Sequence, residues 1–321
     1  MNIAKNGLYK YQNTERKRKM QKKIYTNTIF VVLSALLCTA LWGSATPFIK
    51  TGYECLKVEG TPSIILFAGI RFALAGIITV LIYSIIGRKL LYPKKESLKY
   101  VCIISVFQTI LQYIFFYVGL ANTSGVKGTI LSGSSAFFSI LVATLIFKQE
   151  KITFKKIIAC IIGFSGVVVV NLKGLDLNLN FFGDVFVIFS AISLAFSSVL
   201  MKIYSKEESP VVLSGYQFIV GGIVMIMIGL VFGGTISFDS LKGVAILTYL
   251  AFLSAVAYAL WGILLKYNPV SKVSVFSFMT PVFGVILSNL MLTEASNVSV
   301  ANVFIALVLI CTGIFTLNYQ R

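Results

Sequence analysis

The 321-residue chain contains no histidine, and only 12% of its residues are charged. The absence of histidine excludes histidine metal ligands, a Ser–His catalytic pair and histidine proton relays. The charged fraction is about half of the roughly 25% that is typical of soluble globular domains. Because 57% of the residues are apolar, the composition indicates an integral membrane protein.

Acidic residues and nucleotide-binding motifs are also missing where an enzyme or an ATP-driven pump would need them. The three aspartates, Asp176, Asp184 and Asp239, lie in predicted loops or at the ends of apolar segments, so no intramembrane aspartyl pair is expected. No G-x-x-x-x-G-K-[ST] loop occurs, so this chain would not drive transport with ATP. The five cysteines show no paired spacing, which predicts small buried side chains rather than disulfides or a zinc site. The sequence therefore predicts no catalytic, metal or cofactor site.

Long, nearly uncharged stretches alternate with short charged clusters along the chain. A helix needs about 20 mostly apolar residues to cross the hydrocarbon core of a membrane, and the apolar runs are continuous rather than alternating as in a barrel strand. We predict an all-α integral membrane protein with ten transmembrane helices, the second of which contains a single charge, Arg71. The predicted spans are 24–49, 60–87, 100–126, 128–147, 157–172, 185–201, 209–238, 243–265, 273–293 and 295–320.

Lysine and arginine lie mainly on one side of these spans. The tail at 1–23, the loops after spans 2, 4, 6 and 8, and the C-terminus together hold 22 of them, and the other loops hold five. Positive loops stay on the cytoplasmic side, so both termini are predicted to lie in the cytoplasm and the protein in the inner (cytoplasmic) cell membrane. This bias explains the net charge of +17 without nucleic acid as a partner. The first span is expected to be retained rather than cleaved as a signal peptide.

The chain contains two similar halves, 24–172 and 182–321, which follow the basic tail at 1–23. Residues separated by 144–147 positions match in type and order. Because each half has five predicted spans, the second copy would be inserted upside down, as in many secondary transporters with a substrate site near the repeat interface. A duplicated bundle without transport activity is the alternative. The clearest correspondences are Thr109 with Ser254, Tyr113 with Tyr258, Phe116 with Trp261, Lys127 with Lys272, and Arg71-Phe72 with Gln217-Phe218.

Short motifs occur at defined places in and beside the predicted spans: Leu41-Trp42-Gly43-Ser44, Ile70-Arg71-Phe72, Tyr117-Val118-Gly119-Leu120, Gln149-Glu150, Gly163 with Gly166, and Pro281-Val282-Phe283 with Glu294. Together with ten spans in inverted halves, they resemble the drug/metabolite transporter superfamily, EamA type. The resemblance covers nearly the whole chain after the N-terminal tail and implies an exporter or exchanger of amino acids, related metabolites or drugs. It also implies a central cavity between helices 3, 4, 8 and 9, with helices 1, 2, 6 and 7 as gates. The sequence departs from the family pattern at Ala136, where a second proline would stand opposite Pro281.

Arg71 is a charge within a predicted span. An arginine at this depth costs at least about 2.5–3.5 kcal/mol by insertion scales, so its side chain should face the protein interior or a wet cavity. It is a candidate counter-charge for a substrate carboxylate or a member of a gate ion pair. A structural role as a partner of backbone carbonyls is equally consistent with the sequence. No Asp or Glu lies within a predicted span to neutralise it.

Polar residues of span 3 and their partners in span 8 are candidate cavity residues. Gln108 and Gln112 are four apart and should share one helix face, with Tyr113 on a neighbouring face. Ser254 and Tyr258 belong to the second half and lie in span 8. We predict that these residues form a hydrogen-bonding wall of the cavity. The alternative is a set of interhelical contacts worth about 0.6 kcal/mol each.

Aromatic, proline and small residues complete the set of candidates. Trp42 and Trp261 lie inside spans and can stack on an apolar or cationic substrate, although packing explains each of them more simply. Pro47 and Pro281 interrupt predicted helices 1 and 9 and are candidate hinges. The Gly229-x-x-x-Gly233 spacing allows a helix contact or a homodimer, and small polar residues in spans 4 and 9 are expected to serve close packing. These small residues are Ser132, Ser134, Ser135, Ser277 and Thr280.

The function favoured by the sequence is a secondary, non-ATP transporter that exports or exchanges amino acids or related small metabolites by alternating access. Its partners would be a small-molecule solute and the lipid bilayer. A proton antiporter usually needs a titratable acid within the membrane, so facilitated diffusion or exchange is expected. A membrane enzyme acting on a lipid-like substrate and a non-transport membrane subunit remain alternatives. A channel is less favoured, because no ring of charges or carbonyl filter is visible.

Overall fold

The computed structural model describes residues 15–16, 19–172, 180–291 and 300–318. Within these residues the regular structure is entirely helical, and it contains ten long helices that we number α1 to α10. They are α1 (Thr28–Cys55), α2 (Gly60–Ile86), α3 (Lys95–Ala121), α4 (Gly125–Ile146), α5 (Phe154–Val170), α6 (Phe181–Tyr204), α7 (Pro210–Val231), α8 (Leu241–Tyr267), α9 (Val270–Met291) and α10 (Val300–Asn318).

Most of these helices meet the requirements of a membrane span. In the described ranges, nine helices are long and apolar enough to cross a membrane. The remaining one, α5, has 17 residues, at the lower end of the range of about 17–25 that a span requires. The all-helical, multi-pass membrane fold is therefore confirmed. The count of ten spans and the cytoplasmic position of both termini stay predictions.

Several helices begin before the spans predicted from the sequence. α3 starts at Lys95 rather than at 100, and α4 starts at Gly125 with Lys127 in its first turn. The predicted spans ended at the nearest charge, whereas a lysine near a helix end can reach the polar surface or pair with an acid. α1 and α6 begin after similar caps, because the side chains of Asn27 and Asn180 each accept a hydrogen bond from a backbone N–H of the first turn.

α2 and α7 cross in close contact at glycines. A Cβ atom on Gly76 would lie 2.5 Å from the carbonyl oxygen of Gly215, and one on Gly229 would lie 2.8 Å from the Cα of Leu66. A side chain at either glycine position is thus excluded, which lets the two backbones approach closely, as in other small-residue contacts between membrane helices. The Gly229 position therefore serves a helix contact within the chain.

The contacts between helices follow the same pattern in both halves of the chain. α1 packs against α8 and α9, and α6 packs against α3 and α4. α2 contacts α8, and α7 contacts α3. α5 and α10 pack against each other, as α2 and α7 do. Each of these contacts has a counterpart under the predicted repeat, which supports a division at 24–172 and 182–321; that division stays a prediction.

Three of the helices expected to surround the cavity depart from regular α-helical geometry. α3 contains a π-helical segment at Val106–Leu111, and α4 contains one at Val142–Ile146. α9 passes through a 3₁₀ segment at Val275–Phe278. Wide and tight turns of this kind inside a helix change the direction of the side chains that follow, and they often mark functional sites.

Candidate functional site

A cavity opens between α1, α3, α4, α6, α8 and α9, with about 470 Å³ of empty space including its mouth. Its walls consist of serines, aromatic rings and apolar side chains, and none of the described residues that line it is charged. Four of the predicted site residues, two tryptophans, one tyrosine and one glutamine, belong to the lining. The lining residues are Trp42, Gln108, Ser135, Ser139, Leu194, Ser197, Ser198, Met201, Tyr258, Trp261, Gly262, Leu265, Ser274 and Ser277.

The cavity lies toward one end of the bundle. Ser198 and Leu265 are close to the C-terminal ends of α6 and α8, and Ser274 is close to the N-terminus of α9. All three ends belong to the side that the distribution of lysine and arginine predicts to be cytoplasmic. α1 and α6 contribute to the lining although the family resemblance assigned them to the gates.

Aromatic rings from α1 and α8 form one wall of the cavity, which we call the aromatic wall and define as Trp42, Tyr258 and Trp261. The ring of Trp42 lies 5.0 Å from that of Tyr258 and 5.0 Å from that of Trp261. The hydroxyl groups of Tyr258 and Tyr113 are 2.8 Å apart and share a hydrogen bond. The wall is therefore fixed both by ring packing and by a polar contact between α3 and α8.

Arg71 is buried beside α8 and does not line the cavity. Its side chain is 3% exposed. Nη2 and Nε donate to the hydroxyl oxygen of Ser254 at 2.9 Å and 3.2 Å, and Nε also lies 3.4 Å from the carbonyl oxygen of Leu250. No ion pair with Arg71 occurs among the described residues. The observed partners correspond to the structural role considered from the sequence, and its role as a counter-charge for substrate stays a prediction.

A contact equivalent to that between Arg71 on α2 and Ser254 on α8 joins α7 and α3. Thr109 on α3 donates its hydroxyl proton to Oε1 of Gln217 on α7 at 2.7 Å. Phe72 and Phe218 stack with their rings 5.1 Å apart and 9° from parallel. Under the predicted repeat, Gln217 corresponds to Arg71 and Phe218 to Phe72. Gln217 was not predicted as a site residue, and its alignment with Arg71 was the signal that could have found it.

The two glutamines of α3 have different surroundings. Gln108 lines the cavity, whereas Gln112 is buried outside the lining, and its Oε1 has no hydrogen-bond partner within the described part of the chain. Residues four apart share a face of an α-helix, but Gln108 lies in the π-helical segment. The wider turn needs more residues for one revolution, so the α-helical spacing rule does not apply strictly to this pair.

Serines make up much of the lining, and none of these serines is among the site residues predicted from the sequence. Ser135 and Ser277 were assigned to packing, and Ser139, Ser197 and Ser198 were not considered. Small polar residues look alike in sequence whether they pack helices together or face a cavity. The adjacent serines at 197 and 198 within one apolar span were the signal that could have identified the serine part of the lining.

The two predicted hinges lie near a contact between α1 and α9. Pro47 is buried in α1, which continues as a helix through it. Pro281 follows the 3₁₀ segment of α9. One turn before Pro47, a Cβ atom on Gly43 would lie 2.5 Å from the Cβ of Phe283, two residues after Pro281. The prolines are thus near the same helix contact, and their function as hinges stays a prediction.

Charged residues are concentrated at the ends of the bundle. Lys127 on α4 pairs with Asp184 on α6 at 2.9 Å. At the opposite end, Glu150 pairs with Lys156 at 2.8 Å and accepts a hydrogen bond from the hydroxyl of Ser271. Glu150 thus forms a salt bridge in the loop after α4, and Glu294 of the family motif lies outside the described residues. Within the described ranges no cluster of potential metal ligands occurs.

Comparisons with known proteins agree with this architecture. The EamA-like transporter family matches residues 29–172 and again residues 181–319. An uncharacterized transporter from Archaeoglobus fulgidus is 26% identical over 264 residues, which span 80% of this chain and 88% of the relative. A second uncharacterized transporter, from Synechocystis, is 27% identical over 86% of this chain and 87% of its own. A WAT1-related chloroplastic protein of Arabidopsis thaliana is 25% identical over 87% of this chain and 67% of its own.

A solved crystal structure resembles the fold, with a TM-score of 0.72 at 15% identity over 90% of this chain and 96% of the other. The apolar helices and the matched relatives define the protein as a multi-pass membrane transporter. The chain belongs to the EamA-like transporter family, and the resemblance inferred from the sequence motifs is confirmed.

Proposed function

We propose that the protein is a secondary transporter that exports or exchanges amino acids or related small metabolites by alternating access, without ATP or a catalytic step. The observation that carries the proposal is the position of the cavity beside contacts between equivalent residues of the two halves. Tyr113 bonds to Tyr258, and Phe72 stacks on Phe218. Such contacts lie at the interface where inverted-repeat transporters hold their substrates.

The same contacts provide a physical route to two conformations. If the halves are inverted copies, each half can adopt the arrangement of the other, and the exchange gives inward-open and outward-open states of similar energy. The cavity would then be the inward-open one, because its lining lies near helix ends predicted to be cytoplasmic. In this proposal the eight residues Trp42, Arg71, Gln108, Gln112, Tyr113, Ser254, Tyr258 and Trp261 form the solute path, with Pro47 and Pro281 as hinges.

The proposed transporter resides in the inner membrane with both termini in the cytoplasm. Facilitated exchange is the proposed mode, because no acid within the described helices faces the cavity to carry a proton. A homodimer stays part of the proposal, but Gly229 would not form its interface, since it contacts α2 of its own chain.

Solute counterflow in proteoliposomes tests the proposal. Vesicles loaded with an unlabelled amino acid should transiently accumulate the labelled form without ATP and without a pH gradient. Gln108→Ala, in the cavity lining, should reduce the accumulation, whereas Gln149→Ala, an exposed loop substitution, should not. Counterflow that is absent across a broad panel of amino acids and related metabolites with folded protein would contradict transport. Uptake that requires a pH gradient would contradict the exchange mode alone.

A further inference from the structure

Four of the cavity serines use their hydroxyl protons within their own helices. Ser197 and Ser198 both donate to the carbonyl oxygen of Leu194, at 2.8 Å and 2.9 Å. Ser139 and Ser277 donate to carbonyl oxygens four and three residues earlier, each at 2.7 Å. A hydroxyl has one proton and two acceptor lone pairs. Each of these oxygens can therefore accept a further hydrogen bond but has no proton left to donate.

The aromatic wall adds a second surface that, like the serine oxygens, attracts hydrogen-bond donors. The faces of Trp42, Tyr258 and Trp261 carry partial negative charge, so they attract N–H groups and cations. The hydroxyl of Tyr258 is already bonded to Tyr113. The donors that remain in the lining are the hydroxyls of Ser135 and Ser274, the amide of Gln108 and the indole N–H of Trp42, which has no partner within the described part of the chain. A ligand thus meets mostly acceptors.

None of the described lining residues carries a charge that would offset the partial negative charge of the serine oxygens and ring faces. Arg71 donates to Ser254, and Lys202 on α6 donates to the carbonyl oxygens of Leu265 and Asn268. Both cations are therefore engaged in contacts between helices. A carboxylate in the cavity would face serine oxygens and lose its hydration without a charged partner, which is unfavourable in an apolar environment. The surface therefore discriminates against anionic groups.

We propose that the cavity selects solutes that present N–H donors, as an amine or amide, on a flat apolar body without an anionic group. The N–H groups bind the serine oxygens of α4, α6 and α9, and the flat body stacks on the aromatic wall. This inference rests on the proposed transport function and narrows its solute class. Among amino-acid-related solutes, an amine or amide derivative is preferred over the free amino acid with the same side chain.

Three ligands that share an indole ring test the selectivity on the purified full-length protein. Tryptamine carries an amine, tryptophan carries an amine and a carboxylate, and indole-3-propionate carries only a carboxylate. Binding is measured as ligand-dependent thermal stabilisation, which rises with the ratio of ligand concentration to Kd. We expect tryptamine to bind about tenfold more tightly than tryptophan, on the scale of one hydrogen bond to a charged group, and indole-3-propionate to give no stabilisation.

Matched serine variants test the proposed contacts. Ser197→Ala/Ser198→Ala removes two acceptors from the lining and should weaken tryptamine binding about tenfold. Ser193→Ala, a buried substitution on the same helix outside the lining, should leave it unchanged. The proposal is overturned if indole-3-propionate binds as tightly as tryptamine, if the double variant binds tryptamine normally, or if no ligand of the three stabilises the protein. Selective tryptamine binding without counterflow would instead contradict the transport function.

Discussion

Arg71 and Ser254 allow a direct measurement of what a buried charge contributes to this fold. Arg71 is 3% exposed and makes two contacts to the Ser254 hydroxyl oxygen, at 2.9 Å and 3.2 Å. Ser254→Ala removes both and leaves the guanidinium with the 3.4 Å contact to the carbonyl oxygen of Leu250. Hydrogen bonds to charged groups contribute about 1.5–3 kcal/mol. Because both contacts share one oxygen, we expect Ser254→Ala to lower the free energy of unfolding by about that amount.

Arg71→Met removes the charge together with its contacts. Ser254 still donates to the carbonyl oxygen of Leu250 at 2.9 Å, so no polar group is left without a partner. The cost of holding an arginine at this depth, at least about 2.5–3.5 kcal/mol by insertion scales, is also removed. We therefore expect Arg71→Met to destabilise the protein less than Ser254→Ala, and the double variant to resemble Arg71→Met.

Reversible unfolding in detergent micelles measures these differences, with Ser193→Ala as the control for loss of a buried serine elsewhere. A larger loss in the free energy of unfolding for Arg71→Met than for Ser254→Ala would contradict this expectation. That result would mean that the arginine makes a net stabilising contribution larger than its desolvation cost. Additive effects in the double variant would also contradict it, because contacting residues should show a coupling energy.

Three further perturbations test other parts of the structure. Gly222→Ala places a Cβ 2.4 Å from a backbone nitrogen of α2 and should lower the free energy of unfolding by about 1–3 kcal/mol. The control is Gly125→Ala, whose Cβ would meet nothing within 4 Å. Equal effects of the two substitutions would contradict the close crossing of α2 and α7. Burial raises the pKa of Glu150, but hydrogen bonds from a lysine and a serine lower it more, so it lies below the ordinary value of 4.5. The stability that results from this lowered pKa is present above the unfolded-state pKa and is lost as pH falls through the folded-state pKa. Glu150→Gln should therefore weaken the pH dependence of the free energy of unfolding in this acid range. An unchanged pH profile would contradict the pairing of Glu150 with Lys156. Tyr113→Phe and Tyr258→Phe each break the 2.8 Å hydroxyl contact and should cost about 1 kcal/mol in unfolding measurements, while the double variant should cost less than the sum.

The helices could be predicted from the sequence because few charges interrupt the apolar stretches. Their boundaries could not, since charged residues near the ends remain helical. Lys127 lies in the first turn of α4 and pairs with Asp184, which is distant in sequence. The close crossing of α2 and α7 also depends on which glycines face each other, as with Gly76 and Gly215. Such pairings follow from tertiary contacts, which the local sequence does not encode.

The candidate site was only partly predictable for the same reason. Alignment of the two halves related Tyr113 to Tyr258, but it did not show that their hydroxyls touch. The π-helical segment of α3 at Val106–Leu111 cannot be seen in residue spacing, so the rule that places Gln108 and Gln112 on one face does not hold strictly there. Ser197 and Ser198 face a cavity because of how α6 packs, not because of their residue type.

Side-resolved labelling of Ser198→Cys, in a background without the five native cysteines, tests alternating access most directly. A membrane-impermeant maleimide should modify this cavity position from the cytoplasmic side only, and a solute that supports counterflow should slow the reaction. Equal modification from both sides at the same time would indicate a continuous pore and contradict alternating access. Modification from the outer side alone would contradict the predicted orientation.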